Sequence, residues 1–209
     1  MWFRQDLRLA DNPALCAACE RGEIIPVYIL DDQGAESWKM GGASRWWLHH
    51  ALEDLNDSLK QGLQLFQGDA LTILRDLAVQ TGAAGITWNR CYEPWRITRD
   101  AILKTALKDD GLEVQSFNGS LLWEPWQVLK KDGTPYRVFT PYYRRGCLSV
   151  AAPRRPLEPP KGISLSKNSV HSLLLKELNL LPKINWDEQM KVRWNISEAA
   201  AHERLDEFV

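Results

Sequence analysis

Two stretches of this 209-residue sequence concentrate side chains that can bind a charged or polar ligand. WFRQDLRLADNP (residues 2–13) and WNRCYEPWRITRD (residues 88–100) each continue from apolar or aromatic residues into charged and amide groups. The side chains concerned are Arg4, Asp6, Arg8, Asn89, Cys91 and Glu93. Guanidinium, carboxylate and amide groups hold ligands through ion pairs and hydrogen bonds. No nucleophile paired with a general base is visible, so both stretches predict binding rather than covalent catalysis.

The elements around these stretches alternate between apolar β-branched runs and segments with a helical period. The pattern predicts strands at 1–3, 24–30, 63–68, 85–89 and 112–117, and helices at 13–21, 43–60, 70–81 and 94–110. Asp11 or Asn12, Asp69 and Ser197 are predicted helix N-caps. Such alternation with short turns is typical of α/β domains with right-handed crossovers. We therefore predict a Rossmann-like open, mainly five-stranded parallel sheet with helices on both faces.

The predicted sheet brings the two polar stretches to one place if the first and fourth strands are neighbours. Ligands of doubly wound sheets bind beyond the carboxyl ends of the strands, where consecutive crossovers go to opposite faces. An alternative is that these charges form ion pairs that join loops to helices, for example Asp6 or Asp100 with Arg8 or Arg99. Both interpretations stay open, because an ion-pair network does not exclude a ligand.

Composition indicates an ordinary globular chain. Hydrophobic residues make up 44%, charged residues 25%, and the formal net charge is −1. We expect a cytoplasmic protein without a membrane span, since no apolar run approaches about 20 residues and no signal peptide is recognisable. The four cysteines are expected to be reduced thiols. The common phosphate-binding glycine motifs are absent from the sequence.

The sequence changes character after residue 117. Residues 121–162 hold eight Lys or Arg residues against three acidic residues, and residues 151–193 are rich in Pro, Ser and Lys, which is typical of a connector. WNISEAAAHERLDEFV at 194–209 predicts the start of a further helix. We thus expect an α/β domain over 1–150, a connector over 151–193 and the first helix of another domain over 194–209.

Several separated motifs together resemble one family. WFRQDLRLADNPAL, GGASRWWLHHALEDLNDSLK, LFQGDALTIL, WNRCYEPWRITRD and YRVFTPYYRR are similar, in order and spacing, to the DNA photolyase and cryptochrome family. WNISEAAAHERLDEFV is similar to the entry into that family's helical domain, with Ile196-Ser197 where glycine is usual. The resemblance covers essentially the whole chain.

The resemblance implies a light-driven DNA-repair lyase acting on cyclobutane pyrimidine dimers, in which reduced FAD in a C-terminal helical domain donates an electron to a dimer flipped out of DNA. On this interpretation the FAD domain lies outside the 209 residues, which hold no catalytic residue and are inactive alone. The α/β domain carries a light-harvesting antenna pigment. Expected partners are that pigment, UV-damaged DNA and the protein's own helical domain, and the protein is expected to be a monomer.

The resemblance favours a deazaflavin or flavin as the pigment. The folate-binding branch has an Asn-Glu pair where this sequence has Trp95 and Arg96, which makes methenyltetrahydrofolate a weaker candidate. The stretch from Met40 to Arg45 is similar to the deazaflavin branch. The expected pigment-binding residues are Phe3, Arg4, Leu30, Asp31, Met40, Arg45, Asn89, Cys91 and Glu93. An empty crevice is the alternative.

Two further expectations follow from the resemblance. Arg144 and Arg145, in the basic segment, are expected to contact DNA phosphates or acidic groups of the helical domain. A cryptochrome-type photoreceptor and a stand-alone, non-catalytic nucleotide- or pigment-binding module are the alternative functions.

Overall fold

Parallel strands alternate with helices up to residue 117 in the computed structural model, which describes residues 1–32, 35, 38–168 and 170–209. The strands are β1 (Trp2–Phe3), β2 (Val27–Leu30), β3 (Gln64–Gln67), β4 (Gly85–Asn89) and β5 (Glu113–Phe117). The helices between them are α1 (Pro13–Arg21), α2 (Gly42–Ser58), α3 (Ala70–Thr81) and α4 (Pro94–Asp109). The predicted α/β class is confirmed.

The predicted continuous five-stranded sheet is wrong in one detail. The strands pair by hydrogen bonds as β1-β2-β3 and as β4-β5, all in parallel. β1 and β4 lie in contact between the two groups without a ladder in the described part of the chain. β1 has only two residues, so it offers few backbone groups to β4 once it has paired with β2.

Each face of the strands has its own hydrophobic core, because successive side chains of a strand point to opposite faces. Phe3, Tyr28 and Leu30 pack with the apolar sides of α1 and α2. Trp2, Val27 and Ile29 pack with those of α3 and α4. The crossovers therefore change face between β1 and β4, and the loops after these two strands meet at the switch point.

Side-chain caps account for where several helices begin. Asn12 Oδ1 accepts a hydrogen bond from Leu15 N, and Asp69 Oδ1 accepts one from Thr72 N, so both predicted caps are confirmed. The predicted helix over 43–60 ends two residues earlier than expected. The helix stops at Ser58, Lys60 and Gln61 adopt positive φ, and Asn56 Oδ1 accepts Leu63 N at 3.0 Å, which stabilises the reversal.

Short helical segments follow β5. Phe139–Pro141 (α5) continues as a π-helix over Tyr142–Gly146 and a 3-10 turn over Cys147–Ser149. The proposed connector touches the sheet through isolated bridges from Leu165 to Ile24 and from Leu173 to Leu65. It also contains a 3-10 turn, Leu175–Leu178, and an unpredicted helix α6, Glu188–Arg193. Helix α7 spans Glu198–Phe208, and its predicted N-cap Ser197 accepts a hydrogen bond from Ala200 N.

None of the helices in the described ranges combines the length and the apolar character needed to cross a bilayer.

Candidate functional site

A buried polar network joins the loops that follow β1 and β4. Asn89, 2% exposed, donates from Nδ2 to Asp6 Oδ2 and to Asn12 Oδ1, the latter at 2.7 Å. Its Oδ1 accepts a hydrogen bond from Ala14 N at 3.2 Å. The second carboxylate oxygen of Asp6 accepts Arg4 N at 2.8 Å. The predicted meeting of the two polar loops thus occurs, through hydrogen bonds that connect the β1–α1 loop to the end of β4.

Arginines and tryptophans form a layer beside this network. The Arg4 guanidinium pairs with Asp100 and donates to the backbone carbonyl of Asn89. Arg99 pairs with Asp31 at 3.1 Å and with Asp100 at 2.8 Å. Asp100 therefore joins the two arginines, as the ion-pair interpretation of this loop anticipated for Asp100 and Arg99.

The same guanidinium groups lie over aromatic rings. Arg4 and Arg99 lie 5.0 and 5.1 Å from the Trp2 ring centroid. Arg99 and Arg96 lie 5.2 and 4.9 Å from the Trp95 ring centroid. Cation–π contacts of this kind hold each guanidinium group over its ring and restrict the orientation of that ring.

This layer borders a cleft of about 1100 Å³. The cleft is lined by the β1–α1 loop, the carboxyl end of β2 with the residues after it, α2, the first turns of α4, and residues 193–207. Five tryptophans contribute to the lining: Trp2, Trp38, Trp47, Trp95 and Trp194. Trp47 and Trp194 contact each other edge to face at 5.3 Å between ring centroids. The cleft therefore combines aromatic surface with the guanidinium groups of Arg4, Arg96 and Arg99.

The expected pigment-binding residues separate into two groups. Arg4, Leu30, Asp31 and Met40 are among the residues that line the cleft. The others, which are not among them, are Phe3, Arg45, Asn89, Cys91 and Glu93. Phe3 is fully buried in the core against α1 and α2. Arg45 pairs with Asp32 and donates to Met40 O, so it holds the segment that carries Met40.

The remaining three expected residues are engaged with neighbouring groups. Both Nδ2 protons of Asn89 and its carbonyl oxygen are used inside the loop network. Burial raises the pKa of the Cys91 thiol, although nearby Arg4 and Arg96 act in the opposite direction, so the thiol is neutral at pH 7. Burial acts to raise the pKa of Glu93 as well. Hydrogen bonds from its own backbone N–H and from Gln5, with the charge of Arg96, outweigh this effect and lower that pKa.

Sequence reasoning missed most of the aromatic lining and the whole contribution of residues 193–207. In the sequence, Trp95 and Arg96 stand out only as departures from a folate-binding pattern. No periodicity in the sequence indicates that residues 193–207 pack over the same crevice as the β1–α1 loop, which lies far from them along the chain. The adjacent tryptophans of α2 were a usable signal, since Trp46 is buried while Trp47 stays 41% exposed.

Unsatisfied donors lie at the same end of the strands. Trp2 Nε1 and Arg4 Nε are buried without a hydrogen-bond partner among the described residues, whereas Arg96 Nε lies 3.8 Å from Glu93 Oε2 in an ion pair. The guanidinium groups of Arg4, Arg96 and Arg99 border the cleft, and such N–H donors favour a ligand that carries acceptor atoms. A flat heteroaromatic ring with carbonyl or ring-nitrogen acceptors fits both the aromatic walls and these donors.

The basic segment lies outside the cleft lining. Arg144 and Arg145 are exposed on the π-helix, and neither forms an ion pair with any other residue that the structure describes. Phe139 and Tyr143, beside them, stack in parallel at 5.9 Å and are also exposed.

The fold and the cleft define a doubly wound α/β domain with a crevice at its switch point, which is where ligands of such domains bind. A family model described as DNA photolyase matches residues 1–161. The chain belongs to the DNA photolyase family, as the sequence motifs indicated.

Individual relatives agree with this assignment. The chain is 44% identical to a deoxyribodipyrimidine photo-lyase of Agrobacterium fabrum over all of its own length and 44% of that protein. It is 32% identical to Cryptochrome-2 of Arabidopsis thaliana, over all of this chain and 36% of that protein. The crystal structure of a bacterial class III photolyase from Agrobacterium tumefaciens superposes with a TM-score of 0.91 at 44% identity, covering 99% of this chain and 43% of the other. The chain thus spans less than half the length of these relatives.

Proposed function

We propose that this chain forms the light-harvesting domain of a deoxyribodipyrimidine photolyase and binds an antenna pigment in the cleft at the β1/β4 switch point. The observation that carries the proposal is the cleft at the switch point, which is walled by tryptophans and bordered by the guanidinium groups of Arg4, Arg96 and Arg99. When bound, the pigment supplies absorption of light and transfer of the excitation energy to FAD. The protein's own residues hold the pigment's ring, donate hydrogen bonds to its acceptors and limit its contact with water.

The lining supports a tricyclic deazaflavin or flavin over methenyltetrahydrofolate. The folate mode requires an Asn-Glu pair at positions 95 and 96. In this chain Arg96 lies over the Trp95 ring, and Arg99 lies over both the Trp95 and the Trp2 rings. These side chains present a flat cationic and aromatic surface instead of an amide and a carboxylate. A tricyclic ring with carbonyl oxygens suits that surface.

Pigment retention tests the proposal directly. We expect the purified chain to bind FMN, with a dissociation constant measurable by fluorescence titration, more tightly than methenyltetrahydrofolate under the same conditions. Mass and absorption spectra of pigment extracted from the protein, produced in its own host, should identify a tricyclic compound. Extraction of folate alone would overturn the assignment of pigment type, and the binding of neither compound would overturn the antenna function.

The parent activity is proposed from the relatives. Photolyase function requires FAD and a lesion-binding surface, and both would belong to the part of the relatives' length that this chain does not span. Because Cryptochrome-2 is also similar over the whole chain, a photoreceptor is the second candidate. Blue-light-dependent repair of cyclobutane dimers by the complete gene product would support photolyase, whereas bound FAD without repair would support a cryptochrome. The 209-residue chain alone is expected to repair no dimers.

We also propose that Arg144 and Arg145 contact DNA phosphates. Each contact with a phosphate releases counterions. Replacing one arginine by alanine should therefore reduce, by about one, the slope of log binding constant against log salt concentration. The measurement is the slope of log binding constant against log salt concentration for the complete gene product. Lys183→Ala, an exposed change outside the basic segment, is the control. Unchanged slopes for both arginine variants would contradict phosphate contact.

A further inference from the structure

Glu198, the first residue of α7, connects three walls of the cleft. Its two carboxylate oxygens accept hydrogen bonds from the consecutive backbone amides of Leu9 and Ala10, at 2.7 and 2.8 Å. Its own backbone N–H donates to Asp54 Oδ2 on α2 at 3.0 Å. A single residue therefore links α7 to the β1–α1 loop and to α2.

Each of the elements joined by Glu198 lines the cleft. The β1–α1 loop contributes Arg4 and Arg8, α2 contributes Trp47 and Leu48, and α7 contributes a wall from Glu198 onward. The position of α7 therefore determines how wide the cleft opens on that side. The hydrogen bonds of Glu198 are charge-assisted, which makes them stronger than ordinary amide hydrogen bonds.

Little else holds α7 in place among the described residues. The helix has 11 residues, of which only Ala200 is buried, and Leu205 and Phe208 are exposed. A helix of that length is marginal in water without tertiary contacts. The contacts at its beginning, from Glu198 and from the Trp194 ring against Trp47, therefore carry most of its docking.

We infer that Glu198 is a positioning residue that docks α7 onto the β1–α1 loop and thereby completes the pigment cleft. This inference rests on the proposed antenna function. A pigment that touches α7 binds its docked position more tightly than its undocked position, so pigment binding and docking are linked. The apparent dissociation constant rises in proportion as the docked fraction falls. Glu198 acts through α7 and the loop, since both of its carboxylate oxygens are used by the Leu9 and Ala10 amides.

The number of acceptor oxygens provides a graded test in the 209-residue chain. Glu198→Gln keeps the side-chain size but leaves one acceptor oxygen for two amides, and Glu198→Ala removes both. We expect amide hydrogen exchange of Leu9, Ala10 and α7 to accelerate about threefold in the first variant and at least tenfold in the second. Binding of FMN and of methenyltetrahydrofolate should weaken in the same order, by roughly threefold and tenfold for whichever compound the wild-type chain binds.

Glu188→Ala is the matched control, because it removes an exposed carboxylate from the first turn of α6. It should leave both the exchange rates and the affinity unchanged. A thermal melt of each variant confirms that the α/β core stays folded. Exchange at Leu9 and Ala10 that is the same in wild-type and Glu198→Ala chains would overturn the docking role.

The pigment measurement has a separate meaning. Faster exchange with unchanged pigment affinity would overturn the linkage while leaving the antenna function standing. If the wild-type chain binds neither compound, the antenna function fails, and with it the linkage. The exchange data would then decide the docking role alone.

Discussion

Replacing Asn89 by alanine should lower the free energy of unfolding by about 3 kcal/mol. The change removes two donors and one acceptor from a site that is almost fully buried, leaving Ala14 N without a partner and Asp6 and Asn12 each short of one donor. A buried group left unsatisfied costs about 1–3 kcal/mol, and several are affected at once. Urea unfolding followed by circular dichroism measures the loss, which corresponds to a melting temperature lower by roughly 6–12 °C.

Two further variants separate hydrogen bonding from side-chain volume. Asn89→Asp keeps the shape of Asn89 but replaces its donors with a carboxylate that faces Asp6, so we expect an equal or larger loss at neutral pH. Asn168→Ala removes an exposed amide that donates one hydrogen bond, to Thr81 O, and should change stability by less than about 0.5 kcal/mol. An Asn89→Ala chain as stable as the Asn168→Ala chain would show that the network contributes little to folding.

Replacing Trp95 by alanine should weaken pigment binding by about 10- to 100-fold. The ring lies under Arg96 and Arg99 and forms a flat part of the cleft wall. Stacking on an aromatic ring contributes about 1–3 kcal/mol, and the loss of Trp95 also frees both guanidinium groups to move. Fluorescence titration with FMN and with methenyltetrahydrofolate measures the change in dissociation constant.

The control for Trp95 is a tryptophan outside the cleft. Trp126 is 58% exposed and lies 6.0 Å from the Arg90 guanidinium, so Trp126→Ala removes a similar cation–π contact. We expect pigment affinity in that variant to match the wild type. Trp95→Phe should retain part of the affinity because it keeps a flat ring. Equal affinities for Trp95→Ala and Trp126→Ala would exclude Trp95 from the binding surface.

Local signals were enough to predict the alternating elements. Three helices are capped by a side chain that accepts a hydrogen bond from the backbone N–H three residues later: Asn12, Asp69 and Ser197. A short stretch of sequence is therefore enough to predict these caps. Helix α6 escaped prediction because its six residues are too few to show a period. The gap in the five-stranded sheet depends on how few residues of β1 are available for pairing, which no apolar pattern reveals.

The candidate site was harder to predict because its composition depends on long-range packing. The sequence indicated that the loops after β1 and β4 would meet, and they do. It could not indicate that the Asn89 amide would be used entirely by Asp6, Asn12 and Ala14. Gly119 illustrates the same limit, since a Cβ added there would lie 2.6 Å from Asn89 Cγ. Only the folded chain shows that this glycine gives the amide its space.

Because β1 and β4 share no ladder of backbone hydrogen bonds within the described residues, the contact between them at the switch point is the weakest junction between neighbouring strands. The two hydrogen-bonded groups of strands are joined there by side chains, such as the edge-to-face contact of Trp2 with Trp88 and the bond from Arg4 to the Asn89 carbonyl. The cleft is bordered by residues from both sides of this junction, Leu30 from β2 and Trp95 from α4. A bound ligand would therefore bridge the two halves of the sheet and oppose their separation, coupling occupancy to the cooperativity of unfolding.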